Sequence, residues 1–320
     1  MNQMSKNSVS WHTIDDSHAG QRIDNFLLGL LKGVPKSHIY KLLRNGEVRV
    51  GTRRAKAEYK LQQGDVIRVP PIRIAEPAAK PMPVDSRLPD FPVLFEDEAL
   101  LVIDKPAGVA VHGGSGVSFG VIEILRRQRP QARFLELAHR LDKETSGILV
   151  LAKKRSALLA VQRAFQQNQT DKRYLALVKG RWQGKRREAR FPLHKVVTAE
   201  GDRRVYVREE GQAALTIFRP QALWTDCSLV EAELKTGRTH QIRVHLAHMQ
   251  YPIAGDEKYG DFDWNRELAR NGLKRMFLHA AKLTLPHPVT GEPLSLQAPL
   301  PPNLQNYLNK LKQKSDETEL

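Results

Sequence analysis

Residues 138–147 read AHRLDKETSG, and they place a single carboxylate, Asp142, two positions after Arg140. The stretch ends in the short residues TSG, which favour a tight turn. A lone aspartate next to arginines is most often one half of a structural ion pair. What this carboxylate does therefore depends on the side chains that the rest of the fold brings to it.

The composition favours a nucleic-acid partner. The chain has 320 residues, with 51 lysines and arginines against 35 aspartates and glutamates, and a formal net charge of +16. Such an excess attracts polyanions, of which RNA and DNA are the commonest. An anionic membrane surface is the competing partner, but no long helix in the sequence pairs a basic face with an apolar, aromatic one.

The same composition excludes several other classes. Cys227 is the only cysteine, so no disulfide can form within the chain and no thiolate metal cage exists. No run approaches the ~18 apolar residues of a membrane span, and the N-terminus does not read as a signal peptide. We therefore expect a soluble, cytoplasmic protein without membrane contact, and nothing in the sequence demands more than a monomer.

Prolines divide the chain. Seven of them lie between residues 70 and 92, where neither a helix nor a central strand can form. We expect a small domain over 18–70, a stiff linker over 71–90, a large domain over 91–305 and a frayed tail over 306–320. In the large domain strands outnumber helices without regular alternation, which predicts an α+β fold around a mixed, mostly antiparallel β-sheet.

The small domain reads as two helices followed by strands. QRIDNFLLGLL has apolar residues at helical spacing, and PKSHIYKLLRNGEVRV predicts a second helix that stops at Gly46. Lys36, Lys41 and Arg44 share the polar side of this second helix. That side is either a solvated helix face or a surface that follows RNA phosphates, and the net charge favours the second interpretation.

Two patterns suggest chemistry that their surroundings do not support. GVSFG at 116–120 fits the motif of a serine nucleophile, but a loose glycine-rich loop precedes it where that motif needs a buried strand. His240, His245 and His248 suggest a metal site, but their spacings of five and three differ from the i,i+4 pair of a zinc-binding helix. We expect a loop in the first case and structural or RNA-facing histidines, without a metal, in the second.

Ordered motifs in both domains carry a family resemblance. RIDNFL, SHIYKLLRNGEVRVG and QGD resemble the RNA-binding module named after ribosomal protein S4, which docks on folded RNA through phosphates and shape. HRLDKETSG, KRYLALV, TGRTHQIRVHLA, PIAGDEKYG and FLHA look like the RluA family of pseudouridine synthases. The resemblance implies the pseudouridine synthase fold and an isomerase that converts specific uridines of large-subunit (23S) ribosomal RNA to pseudouridine, without a metal or a cofactor.

The resemblance also assigns the catalytic roles. Asp142 would be the nucleophilic carboxylate, which either captures the anomeric carbon of the sugar or adds to carbon 6 of uracil. Arg243 would keep it ionised against the cost of burial; Arg238 is the alternative partner, with a phosphate contact as its expected role. Tyr174 would stack on the target base and assist removal of the carbon-5 proton.

The remaining site residues are expected to contact the RNA or to shape the pocket. Arg140 would enter the space that the flipped-out uridine vacates, and His240 would face the RNA. Leu278 and His279 either line the uracil pocket or only complete the core.

Two other functions compete with this interpretation. One is an RNA-binding ribosome-assembly factor whose enzyme-like domain is inactive, against which the intact set of Asp142, Tyr174 and Arg243 argues. The other is a base-excising glycosylase or a nuclease, whose product would be an abasic site or a cut strand.

Overall fold

The computed structural model of the chain describes residues 8–15, 18–31, 33–72, 89–113, 119–197 and 203–318. The chain divides into two compact units, Met1–Pro89 with Lys154–Ser156 and Asp90–Lys153 with Ala157–Leu320. Most of the predicted linker, 71–90, lies outside the described residues, as does most of the GVSFG segment.

The smaller unit combines two helices with a four-stranded antiparallel sheet. Its elements are β1 (Ser10–Thr13), α1 (Ile23–Leu30), α2 (Lys36–Asn45), β2 (Arg49–Val50), β3 (Arg53–Arg54) and β4 (Val66–Val69), and the strand order is β1-β4-β2-β3. Ile23, Leu27 and Ile39 are fully buried in its core. The helix α2 ends at Gly46, as predicted, because the φ of +70° at this residue lies in the left-handed region that favours glycine.

The larger unit is built on a ten-stranded sheet. Its elements are β5 (Val93–Glu96), β6 (Leu100–Lys105), α3 (Val121–Gln128), β7 (Glu136–Leu137), β8 (Ser146–Ala152), α4 (Arg155–Gln166), β9 (Asp171–Lys179), β10 (Arg187–Ala189), β11 (Leu193–Val197), β12 (Arg203–Val207), β13 (Thr216–Leu223), β14 (Cys227–Leu234), α5 (Gln241–His248), α6 (Phe262–Arg270), β15 (Leu278–Pro286), β16 (Pro293–Gln297) and α7 (Pro302–Thr318). The sheet runs β10-β13-β14-β9-β15-β8-β6-β5, with β16 beside β15 and β7 beside β8, while β11 and β12 form a separate pair.

The predicted fold class is confirmed. Among the described strand pairs of the large sheet, β15 with β8 is parallel and the others are antiparallel, so the sheet is mixed and mostly antiparallel. Among the helices that the structure describes, none is both long and apolar enough to cross a membrane.

The C-terminal segment differs from its expectation. The sequence predicts a frayed tail over 306–320, whereas α7 continues to Thr318, the last described residue. Leu304, Tyr307 and Leu308 are buried in an apolar cluster with Phe277. This tertiary anchor stabilises a helix whose polar ending, read alone, gives little sign of it.

Three adjacent strands in the middle of the sheet determine where the motifs meet. β8 is buried along its whole length, and it lies next to β15, which in turn lies next to β9. Ala280 on β15 is paired with Gly147 on β8 and with Tyr174 on β9. The turn before β8, the middle of β9 and the start of β15 therefore come together.

Candidate active site

The turn that carries Asp142 joins β7 to β8. The N–H of Thr145 donates a 3.1 Å hydrogen bond to the carbonyl oxygen of Asp142 and closes the turn. The neighbouring carbonyl oxygen of Lys143 accepts hydrogen bonds from the N–H of Gly108, at 2.9 Å, and from Nζ of Lys105, at 3.0 Å. The loop that follows β6 thus holds the turn in place.

Lys105 is fully buried between these two loops. Its Nζ also donates to the carbonyl oxygens of Pro106, at 2.7 Å, and Val109, at 2.8 Å. Burial lowers the pKa of Lys105 to about 7, because a charged ammonium loses solvation there. Since its three partners are backbone carbonyls, Lys105 ties the two loops together.

Gly147 fixes the approach of β8 to β15. Its φ is +109°, a backbone conformation that residues with a side chain rarely adopt. A Cβ atom at this position would lie 2.3 Å from the carbonyl oxygen of Ala280 on the neighbouring strand. The glycine at the end of the HRLDKETSG motif is therefore required by close packing of the backbone.

Arg243, on α5, bridges two aspartates. Its Nη1 donates a 3.1 Å hydrogen bond to Oδ2 of Asp142. Its Nε and Nη2 each donate a 2.8 Å bond to the two oxygens of Asp256. Oδ1 of Asp256 also accepts from the backbone N–H groups of Lys258, at 2.8 Å, and Tyr259, at 3.1 Å. The carboxylate of Asp256, only 1% exposed, is thus held by four donors.

The charges in this cluster support one another. Burial disfavours the charged forms of both Arg243 and Asp256. The hydrogen bonds between the two side chains and the attraction of their opposite charges outweigh this cost of burial. The pKa of Arg243 is accordingly raised, and the pKa of Asp256 is lowered. Arg243 therefore presents a permanent cation to Asp142. The predicted pairing of these two residues is present, and Arg238, the alternative partner, lies exposed.

His240 lies beside Asp142 and lines the same cavity. It precedes α5 with a φ of +53°, and its Nε2 is 3.9 Å from Oδ1 of Asp142. The hydroxyl oxygen of Tyr259 accepts a hydrogen bond from the N–H of Val205 and lies 2.8 Å from Nδ1 of His240. This contact with Tyr259 and the backbone of Val205 holds the imidazole of His240 beside Asp142. Burial lowers the pKa of His240, so the neutral form prevails near pH 7.

A cavity of about 860 Å³ opens beside Asp142. Tyr174 from β9, Leu278 from β15 and Arg243 are among its lining residues. Burial, and then the negative charge of Asp142, raise the pKa of Tyr174, so that its phenol stays protonated at neutral pH. The cavity thus combines a carboxylate with an aromatic face and an apolar wall, a combination that suits a flat, polar ring.

The sequence leaves Leu278 and His279 together, either at this pocket or in the core. In the structure Leu278 lines the pocket and His279 lies in the core. Adjacent residues of a strand point to opposite faces; Leu278 lines the cavity, whereas His279 is fully buried on the other side. Nδ1 of His279 lies 2.9 Å from the hydroxyl of Ser146, and its Nε2 lies 3.2 Å from the carbonyl oxygen of Ala298. Arg275 donates to that same hydroxyl at 2.9 Å. The placement of His279 in the substrate pocket is therefore corrected to a core position.

Exposed cations surround the mouth of the cavity. Arg140 and Arg238 line it and are both exposed, where they are accessible to phosphates. In the smaller unit, taken by itself, three further cations are exposed along α2: Lys36, Lys41 and Arg44. Their positions on the solvent side of the helix agree with the periodicity of the sequence.

The histidines of α5 contact groups of the protein itself. Both ring nitrogens of His245 are engaged at 3.0 Å, one with the hydroxyl of Thr216 and one with the carbonyl of Phe191. The ring of His248 instead packs edge-on against Phe191, with centroids 4.5 Å apart. Within the described parts of the chain, no cluster of three or more potential ligands could hold a metal ion.

Two residues that support the site, Asp256 and Tyr259, are absent from the predicted set. Both belong to PIAGDEKYG, the motif that follows α5. The sequence signal for Asp256 is its place directly after Gly255, in a segment typical of a tight turn. In the structure its carboxylate accepts from the backbone N–H groups that follow it. The partnership with Arg243, 13 residues earlier, is a tertiary contact.

Comparisons with known proteins identify relatives of both units of the chain. A family model described as RNA pseudouridylate synthase matches residues 99–248, and one described as S4 domain matches residues 21–67. The chain is 50% identical to the ribosomal large subunit pseudouridine synthase C of Pasteurella multocida, over 96% of this chain and 95% of that protein. It is also 50% identical to the protein of the same name from Escherichia coli K12, over 95% and 97% of the two chains. The solved structure of human RNA pseudouridylate synthase domain containing 1 superimposes with a TM-score of 0.58 at 25% identity, over 72% of this chain and 96% of that one.

Proposed function

The chain belongs to the RNA pseudouridylate synthase family, and from this premise we propose that it isomerises specific uridines of large-subunit (23S) ribosomal RNA to pseudouridine, with Asp142 as the nucleophile. The observation that carries the proposal is the bond from Arg243 to Asp142 at the cavity that Tyr174 and Leu278 line. The relatives named ribosomal large subunit pseudouridine synthase C, identical at half of the aligned positions, support the choice of substrate.

The reaction moves uracil without adding or removing atoms. The bond between nitrogen 1 and the ribose breaks, the base turns over, and carbon 5 forms a new bond to the ribose and loses its proton, which is returned to nitrogen 1 as the N–H of the product. Asp142 assists either by capturing the anomeric carbon or by adding to carbon 6 of the base. Both routes need a carboxylate, and a guanidinium at 3.1 Å stabilises that form.

Tyr174 is proposed to hold the flipped uracil by stacking. Its ring faces the cavity, and aromatic stacking is a common way of binding an unpaired base. Its phenol is protonated in the free protein. To take up the carbon-5 proton itself, the hydroxyl would first have to give up its own proton. The hydroxyl and the ring can be separated experimentally, since phenylalanine retains only the ring.

The basic surfaces are proposed to bind the RNA around the target. Arg140 would occupy the space that the flipped nucleotide leaves, and Arg238 would contact a phosphate at the mouth of the cavity. The cations of α2 would dock on the folded RNA. His240 is better placed to contact Asp142 or the bound nucleotide than a distant phosphate, because its ring is directed into the site.

We further propose that the protein acts as a monomer in the cytoplasm. Asp142, Tyr174 and Arg243, the proposed catalytic residues, come together at one cavity within a single chain. A non-catalytic assembly factor is the alternative function, and it would bind the same RNA without changing it.

The test is a map of pseudouridine in large-subunit ribosomal RNA from cells that have or lack this protein. We expect defined positions to lose the modification when the protein is absent and to regain it when the unaltered chain is supplied. Complementation with Asp142→Asn should restore none of them. An unchanged map would reject the enzymatic proposal and leave the assembly factor.

A further inference from the structure

One row of paired residues crosses the sheet of the smaller unit. The strand register pairs Trp11 on β1 with Arg68 on β4, Arg68 with Arg49 on β2, and Arg49 with Arg54 on β3. Residues directly opposite each other on antiparallel strands project from the same face, with Cβ atoms about 5 Å apart. The register therefore aligns a tryptophan and three arginines, here called the Trp11 row.

The Trp11 row lies on the solvent face of the sheet. Ile67 and Val69, the neighbours of Arg68 along β4, are buried and belong to the core on the other face. The side chain of Trp11 is 58% exposed, and Arg49 is exposed as well. A tryptophan that exposed on a regular strand contributes little to folding, so its large flat surface is available for a partner.

The arginines are oriented but keep most of their donors. Nε of Arg49 donates to the carbonyl oxygen of Gly46 at 3.2 Å, and Nη1 of Arg68 donates to the carbonyl oxygen of Glu47 at 3.0 Å. The side-chain carboxylate of Glu47 accepts from Asn45 instead. Each guanidinium has five N–H groups, and within the described residues neither arginine forms an ion pair. The remaining N–H groups suit phosphate oxygens, which arginine binds with two parallel bonds.

We propose that the Trp11 row binds a single-stranded segment of RNA, with Trp11 stacked on an unpaired base and the arginines on adjacent phosphates. The inference rests on the proposed function, which supplies the RNA. A charged track beside an aromatic platform is the usual means of holding single strands without reading their sequence. The net charge of +16 favours a polyanion over an acidic or apolar protein segment.

The Trp11 row differs in composition from the docking surface on α2. Trp11 lies on a strand that precedes residues 21–67, the part of the chain that matches the S4 family model, whereas Arg49 and Arg54 lie within it. Lys36, Lys41 and Arg44 present cations only, whereas the Trp11 row adds a stacking group. RNA binding by α2 should therefore respond only to substitutions that remove charge. RNA binding by the Trp11 row should respond to the loss of charge and also to the loss of the aromatic ring.

The stacking contact is tested with the full chain and a fluorescein-labelled, unstructured oligouridine of twelve nucleotides, by anisotropy at fixed salt. Trp11→Ala should weaken binding about fivefold or more, as the loss of one stacked base implies. Trp11→Phe should recover most of the affinity, because it keeps an aromatic face. Thr13→Ala, on the same strand, should bind like the unaltered chain.

The phosphate contacts are tested by the salt dependence of the same binding. Arg49→Gln should reduce the slope of log affinity against log salt by about 0.7, the value for one lost phosphate contact on a single strand. Arg53→Gln is the matched control, because Arg53 is also exposed but is paired with Val50, on the other face of the same hairpin. Its slope should stay close to that of the unaltered chain.

The outcomes separate this proposal from the proposed function. If the unaltered chain forms no pseudouridine in ribosomal RNA, the proposed function fails, whatever oligouridine binding shows. If it does form pseudouridine but Trp11→Ala binds oligouridine as tightly as the unaltered chain, the Trp11 row alone is refuted. Loss of binding to phosphatidylglycerol vesicles in Trp11→Ala, with RNA binding unchanged, would assign this face to a membrane and overturn the proposal as well.

Discussion

Arg243 donates two hydrogen bonds of 2.8 Å to the two carboxylate oxygens of Asp256. A bidentate contact of this kind fixes the plane of the guanidinium. The third nitrogen, Nη1, is thereby directed at Asp142, 3.1 Å away. Asp256 thus acts on the proposed nucleophile through Arg243, and we regard it as a positioning residue.

Changing Asp256 to asparagine should therefore reduce both stability and turnover. In the variant the buried guanidinium of Arg243 loses the negative charge of Asp256. Breaking a buried pair in this way costs about 3–5 kcal/mol. Urea unfolding measures the stability, and the rate of pseudouridine formation by the variant that remains folded measures the positioning. RNA affinity should change little, because Asp256 is buried away from the surface.

Asp263→Asn is the control for this substitution. Asp263 forms an exposed pair with Arg266 on α6, and surface pairs contribute little. Its loss should leave the free energy of unfolding within about 0.5 kcal/mol of the unaltered chain. Equal stability and equal turnover of the two variants would show that Asp256 has no positioning role.

Changing Asp142 to asparagine should abolish isomerisation while RNA affinity stays within severalfold. The amide cannot act as a nucleophile, but it keeps the size of the side chain and an oxygen that can accept from Arg243. Single-turnover assays on a ribosomal RNA fragment and a binding isotherm with the same fragment distinguish the two effects. Turnover that survives the substitution would remove Asp142 from its proposed role.

Much of this site was accessible from the sequence because its motifs are local. The turn of HRLDKETSG and the helix that begins after TGRTH each specify their own shape, and the family resemblance indicated that Asp142 and Arg243 would meet. The role of Gly46 as the end of α2 followed from the preference of glycine for the left-handed conformation. The turn, the helix start and the Gly46 cap each depend on interactions within a few residues, whereas Asp142 and Arg243 are 101 residues apart and only the family resemblance indicated their contact.

The misplaced and missing elements depend on contacts that are distant in sequence. Around Leu278 and His279 the segment FLHAA does not alternate clearly between apolar and polar residues, and all five residues are buried. The pattern therefore does not reveal which of Leu278 and His279 faces the pocket, and a shift of one residue exchanges them. The helix α7 depends on burial of Tyr307 and Leu308 against Phe277. The anchoring of Arg243 by Asp256 likewise appears only when α5 and the following loop are packed together.

Changing Tyr174 to phenylalanine should separate stacking from proton removal. The ring remains, so the affinity for RNA should stay within about twofold, while turnover should fall by about 100-fold or more if the hydroxyl takes part in proton transfer. Tyr174→Leu should lose affinity as well, because it removes the aromatic face. Tyr206→Phe, at an exposed position on β12, is the control that should behave like the unaltered chain. Full turnover by Tyr174→Phe would restrict Tyr174 to stacking.

Changing Gly147 to alanine should destabilise the larger unit strongly. The added Cβ would meet the carbonyl oxygen of Ala280 at 2.3 Å, and β8 and β15 would have to separate. Gly184→Ala is a matched comparison, because Gly184 also has a positive φ, +84°, but has no atom within 4 Å of the added Cβ. Strain of about 1–2 kcal/mol is common to both, so thermal unfolding should show a clearly larger loss for Gly147→Ala. Equal losses would contradict the close approach.

Acid should destabilise the protein partly through His279. Burial lowers the pKa of His279 to about 4, whereas an unfolded chain has a histidine pKa near 6.5. Between these values the unfolded state binds more protons, so stability falls as the pH drops below 6.5 and levels off below 4. From pH 7 to pH 5 this contribution is about 2 kcal/mol. Urea unfolding at the two pH values should therefore show a loss in the unaltered chain that exceeds the loss in His279→Gln by about this amount. An equal loss in both would mean that His279 is already protonated in the fold, against its hydrogen bonds to Ser146 and Ala298.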